Sequence, residues 1–406
     1  MTQQEATQDV QNAKAAGFDA FALNTHTITD QWALDALGYL FQAADQNSFS
    51  LFMSFDTSWG LIHPADIPAF LATYSTHSSY YKVNGKPFVS TFWGGKSYSN
   101  SQWDSDFRQT LSSRYGIVPF FVPDFDDWPG YPNNFVNTFP VIDGAFSWET
   151  AWPAPGNTPT NVSSSTDQNV LNQAHGAGKV YMMPLSSNQF KYQLASGSAW
   201  YRIGEVNMPQ RMEQILTLQP DLVEVLTWND AGESHYVGNI FPEAISGSPD
   251  IQAYSNGFDH TGWQQIISPF IKAYRDDGAT DISMIRPPGS TPVGTLWYRT
   301  QMTSATCTDA QFQNHGQAVD AVNFAVILPA AGYTIRVYSN NALIGTYAAS
   351  VGLYYQSVPG LQPGGGQRIE VYDGNNNMVS SATGTKSVAS GSPQCNWNYE
   401  VVGLSG

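Results

Sequence analysis

The sequence is poor in charged residues and has no long apolar run. Asp, Glu, Lys and Arg make up 12% of its 406 residues, and the formal net charge is −16 at pH 7. Nucleic-acid binding rests on neutralising phosphates with Lys and Arg, so this balance argues against it, and it also opposes anionic membranes. No stretch reaches the roughly 18 apolar residues of a transmembrane helix. We therefore expect neither a nucleic-acid partner nor a membrane partner.

Cysteine is also scarce. Cys307 and Cys395 are the only two cysteines, and both lie in the last quarter of the chain. They are either two buried thiols or a disulfide within the C-terminal domain, which we favour because the composition suits a secreted protein. No Cys or His cluster has metal-ligand spacing, and no Gly-rich phosphate loop precedes a helix. We expect no metal and no cofactor.

Aromatic residues, by contrast, make up 14% of the chain. Uncharged residues such as Ser, Thr, Asn, Gln and Gly take the surface positions that Lys and Glu usually occupy. Such a surface suits a neutral polymer such as a polysaccharide, which is bound by stacking and by neutral hydrogen bonds. The composition and the glycosylation sequon at Asn161 indicate an extracellular or cell-wall protein, and we expect a monomer. We expect the export signal to have been removed or to lie outside this sequence.

Short apolar runs alternate with helical periodicity from Thr2 to about Gly278. The pattern predicts helices over residues 2–16, 30–46, 65–75, 101–113, 131–138, 165–176, 207–218 and 261–275. It predicts strands over Phe18–Asn24, Phe49–Asp56, Pro87–Trp93, Ile117–Val122, Gly144–Trp148, Val180–Leu185 and Leu222–Thr227. Because a helix follows every strand, an α/β fold with a parallel sheet and right-handed crossovers is expected.

Polar and aromatic residues cluster at the carboxyl ends of all these strands, which favours a closed barrel over an open sheet with one binding point. A (β/α)8 barrel needs an eighth strand, and we expect it to lie before residue 1, so that this sequence alone is an incomplete enzyme. The barrel domain is predicted over residues 1–285. Beyond a Pro-rich linker, short strands predict a C-terminal β-sandwich domain over residues 286–406.

The segment Trp228–Tyr236 follows the last predicted barrel strand and carries two acids, Asp230 and Glu233. Glycosidic cleavage needs an acid at the leaving oxygen and a second carboxylate that attacks the sugar or activates water. We interpret the two acids as a catalytic pair. Their neighbours are predicted to bind substrate, namely Trp228, Asn229, His235 and Tyr236. The alternative is a helix capping box, which has the same Asp-x-x-Glu spacing.

A second acidic segment contains Asp124, Asp126, Asp127 and Trp128. We expect it to line the cleft next to the catalytic pair and to bind substrate hydroxyls. A Ca²⁺ loop and a solvated turn are alternatives, although the segment lacks the Gly and the distal Glu of an EF-hand loop.

Other candidate substrate-binding residues stand at the remaining strand ends, namely Asn24, His26, Asp56, Trp93 and Glu149. Five tryptophans follow strands, and some of them should stack on sugar rings while others pack in the core: Trp59, Trp93, Trp128, Trp148 and Trp228. His26 and His235 either orient hydrogen bonds or take part in catalysis.

Four segments together resemble the fungal α-1,3-glucanases (mutanases) of glycoside hydrolase family 71. In the family's order they are Ala15–Asn24, Phe52–Asp56, Asp124–Trp128 and Trp228–Tyr236. A related endo-α-mannosidase-like family has a similar strand-end Trp-Asn followed by two acids three residues apart. The match departs at the N terminus, where the family begins with a strand that this sequence lacks.

The resemblance implies a secreted fungal endo-hydrolase that cleaves α-1,3-glucan with inversion at the anomeric carbon. It also implies that Asp230 and Glu233 are the catalytic pair, and we assign Glu233 as the acid and Asp230 as the base. Three other functions are open: a glycosidase of different specificity on the same barrel, a non-catalytic glucan-binding protein, and a structural wall protein. Sugar release from α-1,3-glucan, starch and mannan discriminates among them.

Overall fold

The computed structural model describes residues 1–307, 313–392 and 394–406, with the backbone alone at residues 306 and 307. The α-helices are α1 Gln3–Ala15, α2 Gln31–Asn47, α3 Ile67–Tyr74, α4 Asn100–Gln102, α5 Thr110–Tyr115, α6 Phe135–Thr138, α7 Ser165–Gly176, α8 Asn207–Leu218, α9 Pro249–Ser255 and α10 Gln264–Arg275. A π-helix spans Trp103–Gln109, and 3-10 turns span Trp148–Ala151, Leu194–Ser196, Pro242–Ile245, Thr261–Trp263, Ile282–Met284 and His315–Gln317.

The strands of the first part of the chain are β1 Ala20–Thr25, β2 Ser50–Asp56, β3 Lys82–Val83, β4 Lys86–Phe92, β5 Phe120–Phe121, β6 Gly144–Phe146, β7 Val180–Ser186, β8 Gln189–Gln193, β9 Ser198–Arg202 and β10 Leu222–Leu226. Those of the last part are β11 Val293–Arg299, β12 Gln301–Cys307, β13 Ala321–Leu328, β14 Tyr333–Ser339, β15 Ala342–Ala349, β16 Gly352–Pro359, β17 Arg368–Tyr372, β18 Met378–Thr383, β19 Ala389–Ser392 and β20 Tyr399–Gly403.

The chain divides into two compact units that do not follow a single cut in the sequence. Unit 1 comprises Met1–Ala151, Ser163–Pro184 and Pro220–Glu224. Unit 2 comprises Trp152–Val162, Leu185–Gln219 and Val225–Gly406. The predicted boundary between residues 285 and 286 cuts the chain once, whereas each of the two units combines several segments. That boundary stays a prediction.

Unit 1 is built on a parallel sheet, as the alternation of strands and helices predicts. Strand β1 pairs with β2, β2 with β4, and β4 with β5, all in parallel. A parallel bridge between Asp124 and Phe146 continues the sheet toward β6, and β6 pairs with β7 in parallel. Strand β10 is the neighbour of β7. The predicted strands are therefore all present, in an order that follows the sequence.

The strands in the middle of this sheet are more buried than the strands that have a described partner on one side only. Strands β2, β4 and β7 are buried at nearly every residue, which matches their continuous apolar runs. Strands β1 and β10 are more exposed, and each is paired on one side in the described pairings. The closed eight-stranded barrel stays a prediction.

The last part of unit 2 consists of antiparallel sheets with alternating burial. One sheet has the order β16-β13-β11-β20, a second has the order β15-β14-β17-β18, and β12 pairs with β19. Both four-stranded sheets contribute to one buried apolar cluster that includes Leu296, Phe324, Val337 and Ile369. Antiparallel strands are thus confirmed for this part of the chain, and their arrangement as a β-sandwich stays a prediction.

The predicted cysteine pair lies in this region. Cys395 is buried, and no described cysteine is a free thiol. The side chain of Cys307 lies outside the described residues, so the disulfide stays a prediction. Within the described part of the chain, none of the helices combines the length and the hydrophobicity needed to cross a membrane.

Candidate active site

The loop that follows β10 is closed on itself by backbone hydrogen bonds in unit 2. The Thr227 N–H donates to the His235 carbonyl at 2.8 Å, and the Val237 N–H donates to the Thr227 carbonyl at 2.9 Å. Ser234 lies in the left-handed region with φ 62°. Trp228 is buried against Gly238, where any β-carbon would lie 2.3 Å from the indole ring. These contacts fix the loop that carries both candidate acids.

Asp230, Glu233 and His235 converge within this loop and are called here the acid–histidine cluster. The His235 Nε2 atom lies 3.2 Å from Asp230 Oδ2 and 3.5 Å from Glu233 Oε2. Asp230 Oδ1 accepts a hydrogen bond of 3.0 Å from the Glu233 N–H. The Asp230 N–H donates instead to the Thr227 hydroxyl at 3.0 Å, so the reciprocal bond of a capping box is not made. No helix begins between residues 230 and 236.

Charge and burial act against each other at His235. Its side chain is fully buried, which by itself lowers the pKa, but the hydrogen bonds and negative charges of Asp230 and Glu233 outweigh burial and raise the pKa to about 9. For Asp230, burial raises the pKa, and the hydrogen bond and charge of His235 outweigh it, so that the net pKa is lowered. His235 is therefore an imidazolium at neutral pH, and Asp230 is a carboxylate.

The acid–histidine cluster is also the group whose ligand atoms converge, within 4.8 Å of one another, closely enough to hold a metal ion in the described part of the chain. Metal ligation requires a neutral imidazole. In the geometry described here His235 Nε2 faces both carboxyl groups, which is the arrangement of an ion-paired cluster.

A β-hairpin that the sequence analysis missed supplies the remaining contacts of Glu233. Strands β8 and β9 pair in antiparallel fashion, and the Phe190 N–H donates to the Glu233 carbonyl at 2.9 Å. The Gln189 side-chain amide donates to Glu233 Oε2, and Lys191 Nζ lies 3.4 Å from Glu233 Oε1. Lys191 also lies 4.9 Å from the centre of the Trp200 ring. The hairpin thus contacts both oxygens of the Glu233 carboxyl group.

The other predicted residues of this segment have different surroundings. Asn229 is exposed, and Tyr236 is buried with its ring stacked on His260 at 4.0 Å. The Tyr236 hydroxyl donates to the Phe258 carbonyl at 2.7 Å. Tyr236 is thus held in the interior of unit 2. Trp152, a residue that the sequence analysis did not single out, meets the His235 ring edge-on at 5.4 Å.

The second acidic segment lies in unit 1 and is organised by backbone N–H donors. Asp124 Oδ1 accepts from the N–H groups of Asp126 at 3.3 Å and Trp148 at 3.4 Å, while Asp126 Oδ2 accepts from the Glu149 N–H at 2.8 Å. The Asp127 carboxylate accepts from the N–H groups of residues 95 and 96, at 2.9 and 3.0 Å. These three carboxylates are not among the described groups of three or more acidic or histidine side chains whose ligand atoms lie within 4.8 Å of one another. The Ca²⁺ alternative stays a hypothesis.

Two of these acids are protonated more readily than ordinary carboxyl groups. Asp124 is fully buried, and burial together with the nearby Asp126 charge raises its pKa well above the usual range. Burial also raises the pKa of Asp126 to about 7, although the Glu149 N–H opposes the change. Asp124 Oδ2 is buried and accepts no hydrogen bond from any described residue. Perturbed carboxyl groups of this kind are common at functional sites.

The remaining predicted residues are distributed over the strand ends of unit 1. Asn24 is exposed and accepts from the Ser54 hydroxyl at 3.4 Å, while Asp56 is buried and accepts from the Ser58 hydroxyl at 2.6 Å. His26 stacks on Trp59 at 4.9 Å. Trp128 is partly buried and meets Phe139 edge-on at 5.8 Å, Trp148 meets Phe92 edge-on at 5.0 Å, and Trp93 is 39% exposed.

Comparison with known proteins identifies relatives along the whole chain. The sequence model of the family described as Glycosyl hydrolase family 71 matches residues 1–406. A glucan endo-1,3-α-glucosidase of Schizosaccharomyces pombe is 34% identical over 308 residues, which cover 74% of this chain and 68% of the relative. A mutanase of Penicillium rubens is 32% identical over 348 residues, which cover 82% of this chain and 71% of the relative.

The fold has a counterpart among solved structures. The GH99 endo-α-mannosidase from Bacteroides thetaiotaomicron aligns with a TM-score of 0.52 at 10% identity, over 67% of this chain and 85% of the mannosidase chain. A second structure of that enzyme gives a TM-score of 0.51 at 12% identity, over 68% and 80% of the two chains. At such low identity the likeness shows the fold alone.

Proposed function

Because the chain belongs to glycosyl hydrolase family 71, we propose that it hydrolyses the α-1,3-glucosidic bonds of α-1,3-glucan. The observation that carries this proposal is the acid–histidine cluster on the loop after β10, where two carboxyl groups lie within reach of one imidazolium. Relatives from two fungi, which are named for endo-1,3-α-glucosidase and mutanase activity, support the choice of substrate. We propose endo action on the same ground.

In the proposed mechanism Asp230 is the base and Glu233 is the acid. The lowered pKa of Asp230 suits a base, because a base must be ionised before it can accept a proton from water. His235 is a positioning residue, since its single Nε2 atom contacts both carboxylates. Lys191 and the Gln189 amide position Glu233 from the β8–β9 hairpin.

The separation of the two acids bears on the stereochemistry. Inverting enzymes keep their carboxyl groups roughly 6.5 to 9.5 Å apart to admit a water, and retaining enzymes keep them about 5 to 5.5 Å apart. The nearest oxygens of Asp230 and Glu233 lie within 4.8 Å of each other. Inversion, which the family resemblance implies, is the proposed outcome, and retention is the alternative that analysis of the first product tests.

We also propose that the acidic segment of unit 1 binds substrate hydroxyls. Asp126 and Glu149 have carboxylates at the carboxyl end of a parallel sheet, the edge at which α/β enzymes bind ligands. The backbone N–H donors described above hold Asp124, Asp126 and Asp127 in place, which is the preorganisation that recognition of a neutral ligand needs.

The wider proposals concern the architecture and the location of the protein. We propose a (β/α) barrel over residues 1–285 and a β-sandwich over residues 286–406, supported by the parallel strand order and by the buried cluster common to the two antiparallel sheets. A secreted monomer is proposed from the composition, with glycan at Asn161, which is exposed, and with a Cys307–Cys395 disulfide.

The test is the release of reducing sugar from insoluble α-1,3-glucan, with starch and mannan as controls. We expect release from α-1,3-glucan alone. NMR of the first-formed product then decides the mechanism, since an α-linked substrate yields the β-anomer on inversion and the α-anomer on retention. Release from starch or mannan instead would contradict the proposed substrate, and binding of glucan without sugar release would show a non-catalytic protein.

A further inference from the structure

Three tryptophans of unit 1 are strongly exposed, and all three follow neighbouring strands of the parallel sheet. Trp59 is 66% exposed, Trp32 is 61% exposed and Trp93 is 39% exposed. They are the exposed tryptophans of the described residues, where the other tryptophans are buried or partly buried. An exposed indole ring leaves a large apolar area in water, and clusters of such area mark binding surfaces.

His26 joins two of these rings into one stack. Its imidazole ring lies parallel to Trp59 at 4.9 Å with an angle of 27°, and it meets Trp32 at 5.8 Å with an angle of 41°. His26 directly follows β1, Trp32 is the second residue of α2, and Trp59 follows β2. These three residues are called here the aromatic stack.

The backbone under the aromatic stack is fixed before any ligand binds. Asp56, the last residue of β2, accepts hydrogen bonds from the Ser58 N–H at 2.9 Å and from the Ser58 hydroxyl at 2.6 Å. The Thr25 hydroxyl donates to the Thr27 carbonyl at 2.6 Å beside His26. Rings held in place lose little conformational freedom on binding, which favours affinity.

Trp93 supplies an independent sign that this edge of the sheet has a function. It directly follows β4, the neighbour of β2, and its φ is 61°. A bulky residue in the left-handed region is strained, and such strain is found mainly at functional sites. The Trp93 ring stacks on Phe92 at 5.4 Å with an angle of 15°. An exposed, stacked aromatic ring therefore also follows the strand next to β2.

We propose that the aromatic stack is a binding subsite for a chain of α-1,3-glucan, whose pyranose rings stack on Trp32 and Trp59. The inference rests on the proposed function for the identity of the glucan. A neutral sugar polymer fits, because the exposed faces are apolar and Asn24, at the end of β1, offers an exposed uncharged amide.

The experiment uses the full chain with Trp32→Ala, Trp59→Ala and the double variant. Tyr115→Ala is the matched control, because Tyr115 is also an exposed aromatic residue of unit 1. We expect the double variant to bind insoluble α-1,3-glucan at least tenfold more weakly than the unchanged protein in a depletion assay. Trp59→Phe keeps a flat aromatic ring and should recover part of the binding, while Tyr115→Ala should bind as the unchanged protein does.

Several outcomes would overturn the subsite. These are unchanged binding of α-1,3-glucan by the double variant, an equal loss in Tyr115→Ala, or a loss of binding that follows a fall in Tm. If the double variant binds amylose or mannan more weakly than the unchanged protein but binds α-1,3-glucan equally well, α-1,3-glucan is not the ligand of the subsite. A failure of the proposed function is distinct from these outcomes, because the unchanged protein would then release no sugar from α-1,3-glucan.

Discussion

The two acids and the histidine of the acid–histidine cluster can each be tested separately. Asp230→Asn and Glu233→Gln keep the size of each side chain and remove its acid. We expect each variant to lose at least about 100-fold in kcat on α-1,3-glucan, because general acid–base catalysis contributes on that order. Initial rates of sugar release measure the loss.

Asp250→Asn is the control for this pair, since Asp250 is an exposed acid of α9 in the same unit. It should keep full activity. If Asp230→Asn or Glu233→Gln folds normally and keeps a tenth of the activity, that residue has no part in acid–base catalysis.

His235→Gln tests the positioning role of the imidazolium. The substitution keeps a hydrogen-bond donor but removes the positive charge that lowers the pKa of Asp230. The pKa of Asp230 should rise, so the base should become protonated at a higher pH. We therefore expect the acidic limb of the profile of kcat/KM against pH to move to higher pH. His175→Gln, which alters an exposed pair with Asp221, should leave the profile unchanged. An unmoved limb in His235→Gln would contradict the role.

The sequence predicted the acids better than their partners. Asp230 and Glu233 are recognisable because they stand together behind an apolar strand. Lys191 is more than 40 residues from Glu233 along the chain, and Trp152 is more than 80 residues from His235. Such contacts depend on how distant segments pack, and no local pattern contains that information. Trp32 escaped notice for a different reason, since it lies inside a helix and not at a strand end.

Among secondary-structure elements, the β8–β9 hairpin has the most direct influence on the candidate site. Burial alternates from Phe190 to Gln193 in β8, and Gly197 with φ 71° follows the 3-10 turn between the strands. The alternation of Phe190, Lys191 and Tyr192 was a usable signal. The hairpin was missed because the sequence analysis assumed that each strand is followed directly by a helix, whereas β8 and β9 lie between β7 and α8.

The Lys191→Met variant tests the hairpin. It removes the ammonium group that lies 3.4 Å from Glu233 while keeping most of the aliphatic chain. We expect kcat/KM to fall about tenfold, near the lower end for a charge-assisted hydrogen bond. Lys191→Arg should keep most of the activity, and Lys82→Met, on the exposed β3, should keep all of it. Activity of Lys191→Met equal to that of the unchanged protein would remove the hairpin from the mechanism.

The long elements were predictable because the face that each hydrophobic pattern marks as apolar is the face that packs in the structure. Helices α2, α7, α8 and α10 and strands β2, β4 and β7 lie at the predicted positions. The predicted strand over Ile117–Val122 has only residues 120 and 121 in strand conformation, and the predicted helix over 101–113 contains a π-helix. Register and hydrogen-bond geometry decide those details, and they depend on neighbours that hydrophobic periodicity does not reveal.

For the molecule as a whole, the first prediction concerns the disulfide. A Cys307–Cys395 bond closes a long loop, which should stabilise the protein by roughly 4 to 5 kcal/mol if the effect is mainly on the unfolded chain. Cys307→Ser should therefore lower Tm. Mass analysis after alkylation without reductant should find no modified cysteine in secreted protein. Two alkylated thiols would contradict the bond.

The second prediction concerns partly buried acids, which make the folded protein hold protons that the unfolded chain releases. Burial raises the pKa of Asp126 to about 7 and that of Glu224, on β10, to about 8. Their unfolded values are near 4. A group with a raised folded pKa contributes stability that is fully present below the unfolded pKa and lost as pH rises through the folded pKa. His235 acts in the same direction, from about 6.5 unfolded to about 9 folded.

His260 acts in the opposite direction at lower pH. Burial lowers its pKa to about 4, so it costs stability as pH falls below its unfolded value near 6.5. Above that value it is neutral in both states. Between about pH 6.5 and about pH 9, the folded state therefore binds more protons than the unfolded state, through Asp126, Glu224 and His235. Stability falls as pH rises in such a range, so Tm should fall steadily across it. Calorimetry at constant ionic strength measures it, and Glu224→Gln should flatten the slope. A rising Tm would contradict the linkage.

Folding of this protein is thus a proton-consuming reaction at neutral pH. The partly buried carboxyl groups beside its parallel strands take up protons as the chain folds and release them as it unfolds. A rise in pH should therefore shorten the lifetime of the fold even where no catalytic group changes its charge, and mildly acidic solution should be the medium in which the protein persists longest.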